Sequence, residues 1–306
     1  MFTIPYSMSL VAFDLDNTLG FFDVVGPWGE FFSVDLLENS VNTLKNPGQI
    51  FSPTLKRRLR KVEAAVLKAI RGNPEILEMI IRPNLDALLL PIIQAKRKGK
   101  VTAVCIYSNT PNTYSMYLAK ALIEDIYEYP GFFDCMVDAT QELRADDWKR
   151  KEKGSSEPLK TLSTLRCIFK DLCGIKGTIR PDQVLFVDER LKKHALEIEE
   201  ARGLTYLKPT VYSPPVSKAL KEKCFETILL AIDGTGLFED KEYLESGILN
   251  CVKYDLLSKS TVKIEDIFEL LKYVEDMAEH PWVAPTEFKD DSKAIRQTVL
   301  KFLANR

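Results

Sequence analysis

Three short apolar runs, each leading into a polar residue, give the first indication of the fold. They are SLVAF at 9–13, VTAVCIY at 101–107 and QVLFV at 183–187. Uninterrupted runs of this length are typical of strands that are covered on both faces, as in a parallel sheet. The polar residues that follow are Asp14, Ser108 and Asp188. Because sites on such sheets form beyond the carboxyl ends of the strands, these three residues predict where the site lies.

Helical patterns separate the three runs. Apolar residues recur at helical spacing over 84–98, 112–127, 158–172 and 190–202, and weaker strand patterns cover 132–137 and 204–209. This alternation of strand and helix predicts an α/β fold: a Rossmann-like three-layer sandwich around a parallel sheet, with right-handed connections.

Two segments depart from the alternation. Residues 19–81 come between the first strand and the helix that opens at Arg82-Pro83, and we expect them to form an inserted flap or small cap. Residues 213–306 carry mainly helical patterns and predict a C-terminal extension, which leaves residues 1–212 as the core domain. The polar stretch at 145–158 predicts a mobile, charged loop.

Composition narrows the chemistry and the compartment. A formal net charge of -2 over 306 residues gives no overall attraction to nucleic acid or to an anionic membrane. The chain has only two histidines, which excludes a three-histidine metal site and favours carboxylates as catalytic groups. Its six cysteines include no CxxC pair and favour a reducing compartment. No signal-peptide pattern is present and no run approaches the ~18 apolar residues of a membrane span, so we expect an intracellular protein, cytoplasmic or nuclear, without a membrane partner.

The segment FDLDNTL at 13–19 has a DxDxT pattern, carried by Asp14, Asp16 and Thr18. It resembles the signature of the haloacid dehalogenase (HAD) superfamily phosphatases, and the resemblance extends over residues 9–211. The resemblance implies a HAD-like fold and hydrolysis of a phosphomonoester through an aspartyl-phosphate on Asp14. Asp16 would protonate the leaving group and later activate water, which fits the proton transfers that such a reaction needs.

Phosphoryl transfer also needs positive charge near the phosphate oxygens. Hard oxygen ligands suit Mg²⁺, and we expect it to be held by Asp14, the carbonyl of Asp16 and Asp188. Glu189 follows Asp188 where the family commonly has a second aspartate, and we expect it to act through water or to cap the next helix.

The predicted phosphate-binding residues are Thr18, Ser108, Asn109 and one lysine. Ser108 and Asn109 also fit the N-cap of the following helix, and the two roles are compatible. Lys160 and Lys170 are the two candidate lysines, at opposite ends of the helical pattern before the last core strand. That helix runs antiparallel to the strand, so its first residues lie at the edge with the aspartates. Ten residues at about 1.5 Å each carry Lys170 about 15 Å away, which favours Lys160.

These motifs do not determine the substrate. Arg82-Pro83 and the tripeptide KDL at 170–172 resemble the phosphatases that act on the polymerase C-terminal domain, which implies a phosphoprotein substrate. A small-molecule, nucleotide or polynucleotide phosphatase is also open, because loops and caps set specificity. The basic cluster at 56–61 would attract a phosphorylated or nucleic-acid substrate, but a run of this kind is more often the solvated face of a helix. A non-catalytic HAD-fold interaction protein is the alternative from a different class.

Overall fold

The computed structural model describes residues 8–22, 24–25, 52–110, 113–150, 158–190, 202–245 and 288–304. Its sheet has five strands: β1 (Ser9–Phe13), β2 (Val101–Tyr107), β3 (Cys135–Val137), β4 (Val184–Val187) and β5 (Thr205–Leu207). All neighbours are parallel, in the order β3-β2-β1-β4-β5. The predicted α/β class with a parallel sheet is therefore confirmed, and all five predicted strands are present.

The helices of the described residues are α1 (Pro53–Arg71), α2 (Pro74–Ile80), α3 (Leu85–Arg97), α4 (Thr113–Ile126), α5 (Ala145–Lys149), α6 (Leu162–Cys167), α7 (Lys218–Asp233), α8 (Lys241–Glu245) and α9 (Ser292–Ala304). The predicted helices at 84–98 and 112–127 are confirmed. The helix predicted at 190–202 falls almost entirely on residues 191–201, which lie outside the described residues.

The helix predicted at 158–172 differs from the observed one. Residues 158–161 are not helical; Thr161 is the N-cap, and its hydroxyl accepts a hydrogen bond from the Thr164 amide at 3.0 Å. A π-helical turn over Ile168–Leu172 continues the helix. The apolar spacing could not reveal this start, because the residues before Thr161 are held by side chains that are distant in sequence.

The alternation of side chains along β1 divides the core into two layers. Val11 and Phe13 face the larger apolar cluster, which contains the buried sides of α1, α3, α4, α7 and α9. Leu10 and Ala12 face the smaller cluster, where α6 contributes Leu162. The sheet is thus covered on both faces, which accounts for the uninterrupted apolar runs of its central strands.

The segments predicted as a flap and an extension contribute to the larger cluster where they are described. Helix α1 buries an apolar stripe from Leu55 to Ile70, while its basic residues lie on the other face and Arg58 pairs with Asp240 at 2.8 Å. Helix α9 packs on α3. The boundaries at 19, 81 and 212 stay predictions. Among the described helices, we find none with the length and apolar character needed to cross a bilayer.

The register of the sheet aligns the ends of the central strands. Phe13 lies opposite Val187 in β4 and opposite Ile106 in β2. The ladder continues one residue further, because the Asp14 amide donates to the Val187 carbonyl at 2.8 Å and the Asp188 amide donates to the Leu207 carbonyl at 3.1 Å. Asp14 and Asp188 therefore leave adjacent strands at the same edge.

Candidate active site

Lys160 lies between the two aspartates at this edge. Its Nζ is 2.6 Å from Oδ1 of Asp14 and 2.8 Å from Oδ2 of Asp188, and only 2% of Lys160 is exposed. Burial alone lowers the pKa of Lys160, but the summed attraction of Asp14, Asp188 and Glu189 outweighs it and raises that pKa above its ordinary value. Lys160 is therefore a buried ammonium held by carboxylates. Lys170, the competing candidate, is exposed.

Glu189 joins the acidic group more closely than the sequence indicated. One carboxylate oxygen each from Asp14, Asp188 and Glu189 forms a set within 4.8 Å, and all three residues are buried. Glu189 accepts a hydrogen bond from the Thr18 hydroxyl at 2.5 Å, and its own amide donates to that hydroxyl at 3.1 Å. Thr18 thus ties the loop after β1 to the end of β4.

The acidic set fits a divalent cation. Lys160 is the cation in direct contact with Asp14 and Asp188, while Nε of Arg190 is 3.8 Å from Glu189. Burial and the repulsion from Asp14 and Asp188 raise the pKa of Glu189 to about 8. Burial is the larger cause of this shift, and a cation bound beside Glu189 would oppose it. Three carboxyl groups with oxygens this close together supply the hard oxygen donors that suit Mg²⁺.

Asp16 lies in a tight turn that follows Asp14. The amides of Thr18 and Leu19 donate back to the Leu15 carbonyl at 3.3 and 2.8 Å, and the Asn17 amide donates to the Gly20 carbonyl at 2.7 Å. Asn17 adopts a left-handed conformation with φ 61°. The turn keeps Asp16 half-buried, two residues beyond the end of β1. Coordination by its carbonyl and its acid–base role stay predictions.

Gly20 closes this turn against the end of α2. It forms a bridge with Ile81, and a Cβ at position 20 would lie 2.2 Å from the Ile80 carbonyl oxygen. No side chain fits at that distance, so the glycine allows the turn to approach the neighbouring backbone closely. The path of the loop that carries Asp16 therefore depends on Gly20.

Ser108 and Asn109 follow β2 at the same edge. The Ser108 amide donates to the Val137 carbonyl at 3.0 Å, and its hydroxyl oxygen accepts from the Thr110 amide at 3.2 Å. The Asn109 side chain donates to the Pro158 carbonyl at 3.0 Å, two residues before Lys160. Ser108 thus organises its own loop and is not the N-cap of α4, which begins five residues later at Thr113, while Asn109 links this loop to the Lys160 segment.

A buried ion pair that no sequence pattern indicated lies beside these residues. Arg144 and Asp147 are each 0% exposed, and Nε of Arg144 donates to Oδ2 of Asp147 at 2.8 Å. Asp147 belongs to α5, so the start of the stretch predicted as a mobile loop is an ordered helix; residues 151–157 lie outside the described residues. The prediction failed there because a polar composition does not show which charges become buried. The only local signal is the spacing of three residues between arginine and aspartate, which many surface helices share.

Comparisons with known proteins add little to this geometry. No protein-family model and no curated protein matches the chain. A solved structure described as a HAD-superfamily hydrolase, subfamily IA, from Geobacter sulfurreducens is similar at 12% identity with a TM-score of 0.31, covering 71% of this chain and 92% of its own. At that identity and TM-score, the likeness assigns no function to the chain.

The residues at this sheet edge bring together groups that could take part in phosphoryl transfer. Asp14 offers a carboxylate at a strand end, Lys160 offers a fixed ammonium 2.6 Å from it, and the acidic set offers a cation site. All three groups are largely shielded from water. Electrostatic interactions between them are therefore stronger than they would be in bulk solvent. The arrangement suits attack on a phosphate whose charge must be neutralised.

Proposed function

We propose that this protein is a Mg²⁺-dependent phosphomonoester hydrolase of the HAD type, with Asp14 as its nucleophile. The proposal rests chiefly on the position of Lys160, whose Nζ is 2.6 Å from Asp14 and 2.8 Å from Asp188. Glu189 lies beside them. One ammonium among three buried carboxylates is costly as a structural feature alone. It is well suited to a site that receives a dianionic phosphate and a metal ion.

In the first step, a carboxylate oxygen of Asp14 attacks phosphorus. The new bond is an acyl phosphate, and the bond between phosphorus and the ester oxygen breaks, with its electron pair going to the leaving oxygen. Asp16 donates a proton to that oxygen. Lys160 offsets the negative charge of the nucleophile and of the transferring group. Splitting one difficult displacement into two easier ones is the general advantage of a covalent intermediate.

In the second step, Asp16 accepts a proton from water, and the water oxygen attacks phosphorus. The acyl phosphate bond breaks, which releases inorganic phosphate and restores the Asp14 carboxylate. Asp14, Asp188 and the Asp16 carbonyl would hold Mg²⁺, with Glu189 beside them. Bound there, Mg²⁺ would supply positive charge to the phosphate oxygens.

The three polar residues predicted to bind phosphate already make hydrogen bonds within the protein, which limits the role that each can have in this scheme. Thr18 already donates its hydroxyl to Glu189, so its first role is to hold the acidic set together. The Ser108 hydroxyl uses its oxygen for the Thr110 amide, and its proton is the donor that we assign to the phosphate. Asn109 acts through the loop that it fastens to Pro158.

Hydrolysis of p-nitrophenyl phosphate tests the proposal. We expect turnover with Mg²⁺, none after treatment with EDTA, and a loss of about 1000-fold or more in kcat for Asp14→Asn. Asp171→Asn, which changes an exposed aspartate, is the matched control and should keep full activity. Unchanged turnover in Asp14→Asn would exclude Asp14 as the nucleophile, and a wild-type protein without turnover or Mg²⁺ binding would favour a non-catalytic interaction protein.

The physiological substrate is the finer part of the proposal. We favour a phosphoprotein because of the resemblance at Arg82-Pro83 and at KDL. A panel of phosphopeptides, nucleotides and 3′-phosphorylated oligonucleotides, compared by kcat/KM, separates the classes. A preference of at least about tenfold for phosphopeptides, which corresponds to about 1.4 kcal/mol, would support the phosphoprotein assignment. A preference for either other class would replace it.

A further inference from the structure

The buried ion pair of Arg144 and Asp147 takes no part in the proposed chemistry, yet its contacts converge on the residues that do. A buried charge pair is seldom favourable for stability by itself, since removing both charges from water costs several kcal/mol. The hydrogen bonds of such a pair indicate what else it does in the fold. Here they connect two segments of the candidate site.

Arg144 binds both segments. Its Nη1 donates to the Ser108 carbonyl at 2.6 Å, and its Nη2 donates to Oδ1 of Asn109 at 2.7 Å. Nη2 also reaches the carbonyl of Leu159, the residue before Lys160, at 3.5 Å. The planar guanidinium thus spans from the loop after β2 to the Lys160 segment with fixed geometry.

Asp147 completes the connection on the other side of Lys160. It accepts hydrogen bonds from the hydroxyl of Thr161 at 2.9 Å and from that of Tyr107 at 2.5 Å. The Tyr107 hydroxyl in turn accepts from the Thr161 amide at 3.1 Å. Leu159 and Thr161, the two neighbours of Lys160, are therefore both fastened to the ion pair.

A fastened backbone matters because the lysine side chain is long and flexible. Four torsion angles separate Nζ of Lys160 from its Cα, and a mobile backbone would add further freedom to the ammonium. Fixing both neighbours sets the origin of the side chain relative to Ser108 and Asn109. The ammonium is then already in position beside Asp14 and Asp188 before the substrate binds. Substrate binding therefore does not have to order the lysine side chain.

We propose that Arg144, Asp147 and Tyr107 are positioning residues that set the separation between the Ser108–Asn109 loop and Lys160. The inference rests on the proposed phosphatase function, because it assigns a catalytic consequence to that separation. None of the three touches the phosphate in this scheme. Their loss should lower kcat through misplacement of Lys160, for which a displacement of about 1 Å can cost about 100-fold.

Tyr107→Phe is the mildest test, since it removes one hydroxyl and keeps the ring. Arg144→Lys is the second variant; it keeps the charge but loses the planar fork. Tyr127→Phe is the matched control, because the Tyr127 hydroxyl also donates to an aspartate, Asp86, at 2.7 Å, on the α3–α4 side of the fold. We expect both test variants to lower kcat by about 10- to 100-fold with KM changed less than about threefold, while the control keeps wild-type values.

Amide hydrogen exchange gives a readout that does not depend on turnover. The Thr161 amide, which donates to Tyr107, should exchange at least about tenfold faster in Tyr107→Phe and at the wild-type rate in Tyr127→Phe. Wild-type kcat in both test variants, or an equal loss in the control, would overturn the inference. If wild-type protein neither turns over substrate nor binds Mg²⁺, the proposed function fails, and the catalytic role of these residues falls with it. An unchanged exchange rate of the Thr161 amide in Tyr107→Phe would show that Tyr107 does not hold the Lys160 segment in place, and would overturn the structural part of the inference as well.

Discussion

Replacing Lys160 with methionine tests the electrostatics of the site through stability alone. Methionine has a similar length and no charge, so the substitution leaves Asp14, Asp188 and Glu189 buried without their shared ammonium. Removing one partner of a buried ion pair costs about 3–5 kcal/mol, because the remaining charge is desolvated and unpaired. The partners here are at most 8% exposed, so solvent screening offers little relief.

The expected loss is therefore about 3–5 kcal/mol in the free energy of unfolding, measured by urea denaturation in EDTA. Lys170→Met is the matched control, since Lys170 is exposed, and it should stay within about 0.5 kcal/mol of wild type. Part of the loss should return as the pH is lowered, because Glu189, whose pKa is already raised to about 8, takes up a proton in the folded state.

Magnesium should restore stability more strongly in Lys160→Met than in wild type. A ligand present at 100 times its Kd stabilises the folded state by about 2.7 kcal/mol, and removal of the competing ammonium should lower the Kd for Mg²⁺. A loss under about 1 kcal/mol in EDTA would refute the reasoning. So would a Mg²⁺ response no larger than that of wild type.

Three further substitutions test other parts of the account. Gly20→Ala places a Cβ 2.2 Å from the Ile80 carbonyl oxygen and should lower the free energy of unfolding, measured by urea denaturation, by about 1–3 kcal/mol. It should also lower kcat, because the turn with Asp16 must move. Wild-type stability would contradict the close packing at Gly20. Asp291→Ala removes the carboxylate that pairs with buried Arg82 at 2.9 Å and should lower the free energy of unfolding by about 3 kcal/mol. The amides of α9 should then exchange with solvent before those of the other helices. Equal exchange in all helices would contradict a role of this ion pair in holding α9. Glu189→Gln should flatten a pH dependence of the metal-free protein. The pKa of Glu189 is raised from 4.5 to about 8 in the folded state, so stability falls as pH rises through that window, by up to about 1.4 kcal/mol per pH unit.

The sequence predicted the framework of the site because the framework depends on local patterns. Apolar runs that end on Asp14 and Asp188 placed both residues at one sheet edge, and the structure has them on adjacent strands. Helix direction favoured Lys160 over Lys170, and the structure has Nζ of Lys160 at 2.6 Å from Asp14. The helix begins only at Leu162, but Lys160, two residues before it, still lies against Asp14 and Asp188 at this edge.

The rest depended on contacts between residues far apart in the chain. Thr18 and Glu189 are separated by 171 positions, so nothing in either segment indicates their hydrogen bond. Arg144 and Asp147 lie in a polar stretch whose composition is that of a surface loop. Their burial follows from packing against Tyr107 and Thr161, which only the folded chain brings together.

The most direct test of the central claim is to locate the phosphoryl group on the enzyme during turnover. An Asp16→Asn variant should accumulate the intermediate from p-nitrophenyl phosphate, because that leaving group departs without a proton whereas the attacking water still needs a base. Acid quenching, reduction with borohydride and peptide mass spectrometry then identify the modified residue. We predict that Asp14 is converted to homoserine. Turnover that leaves Asp14 unmodified, with another residue carrying the phosphoryl group, would contradict the account.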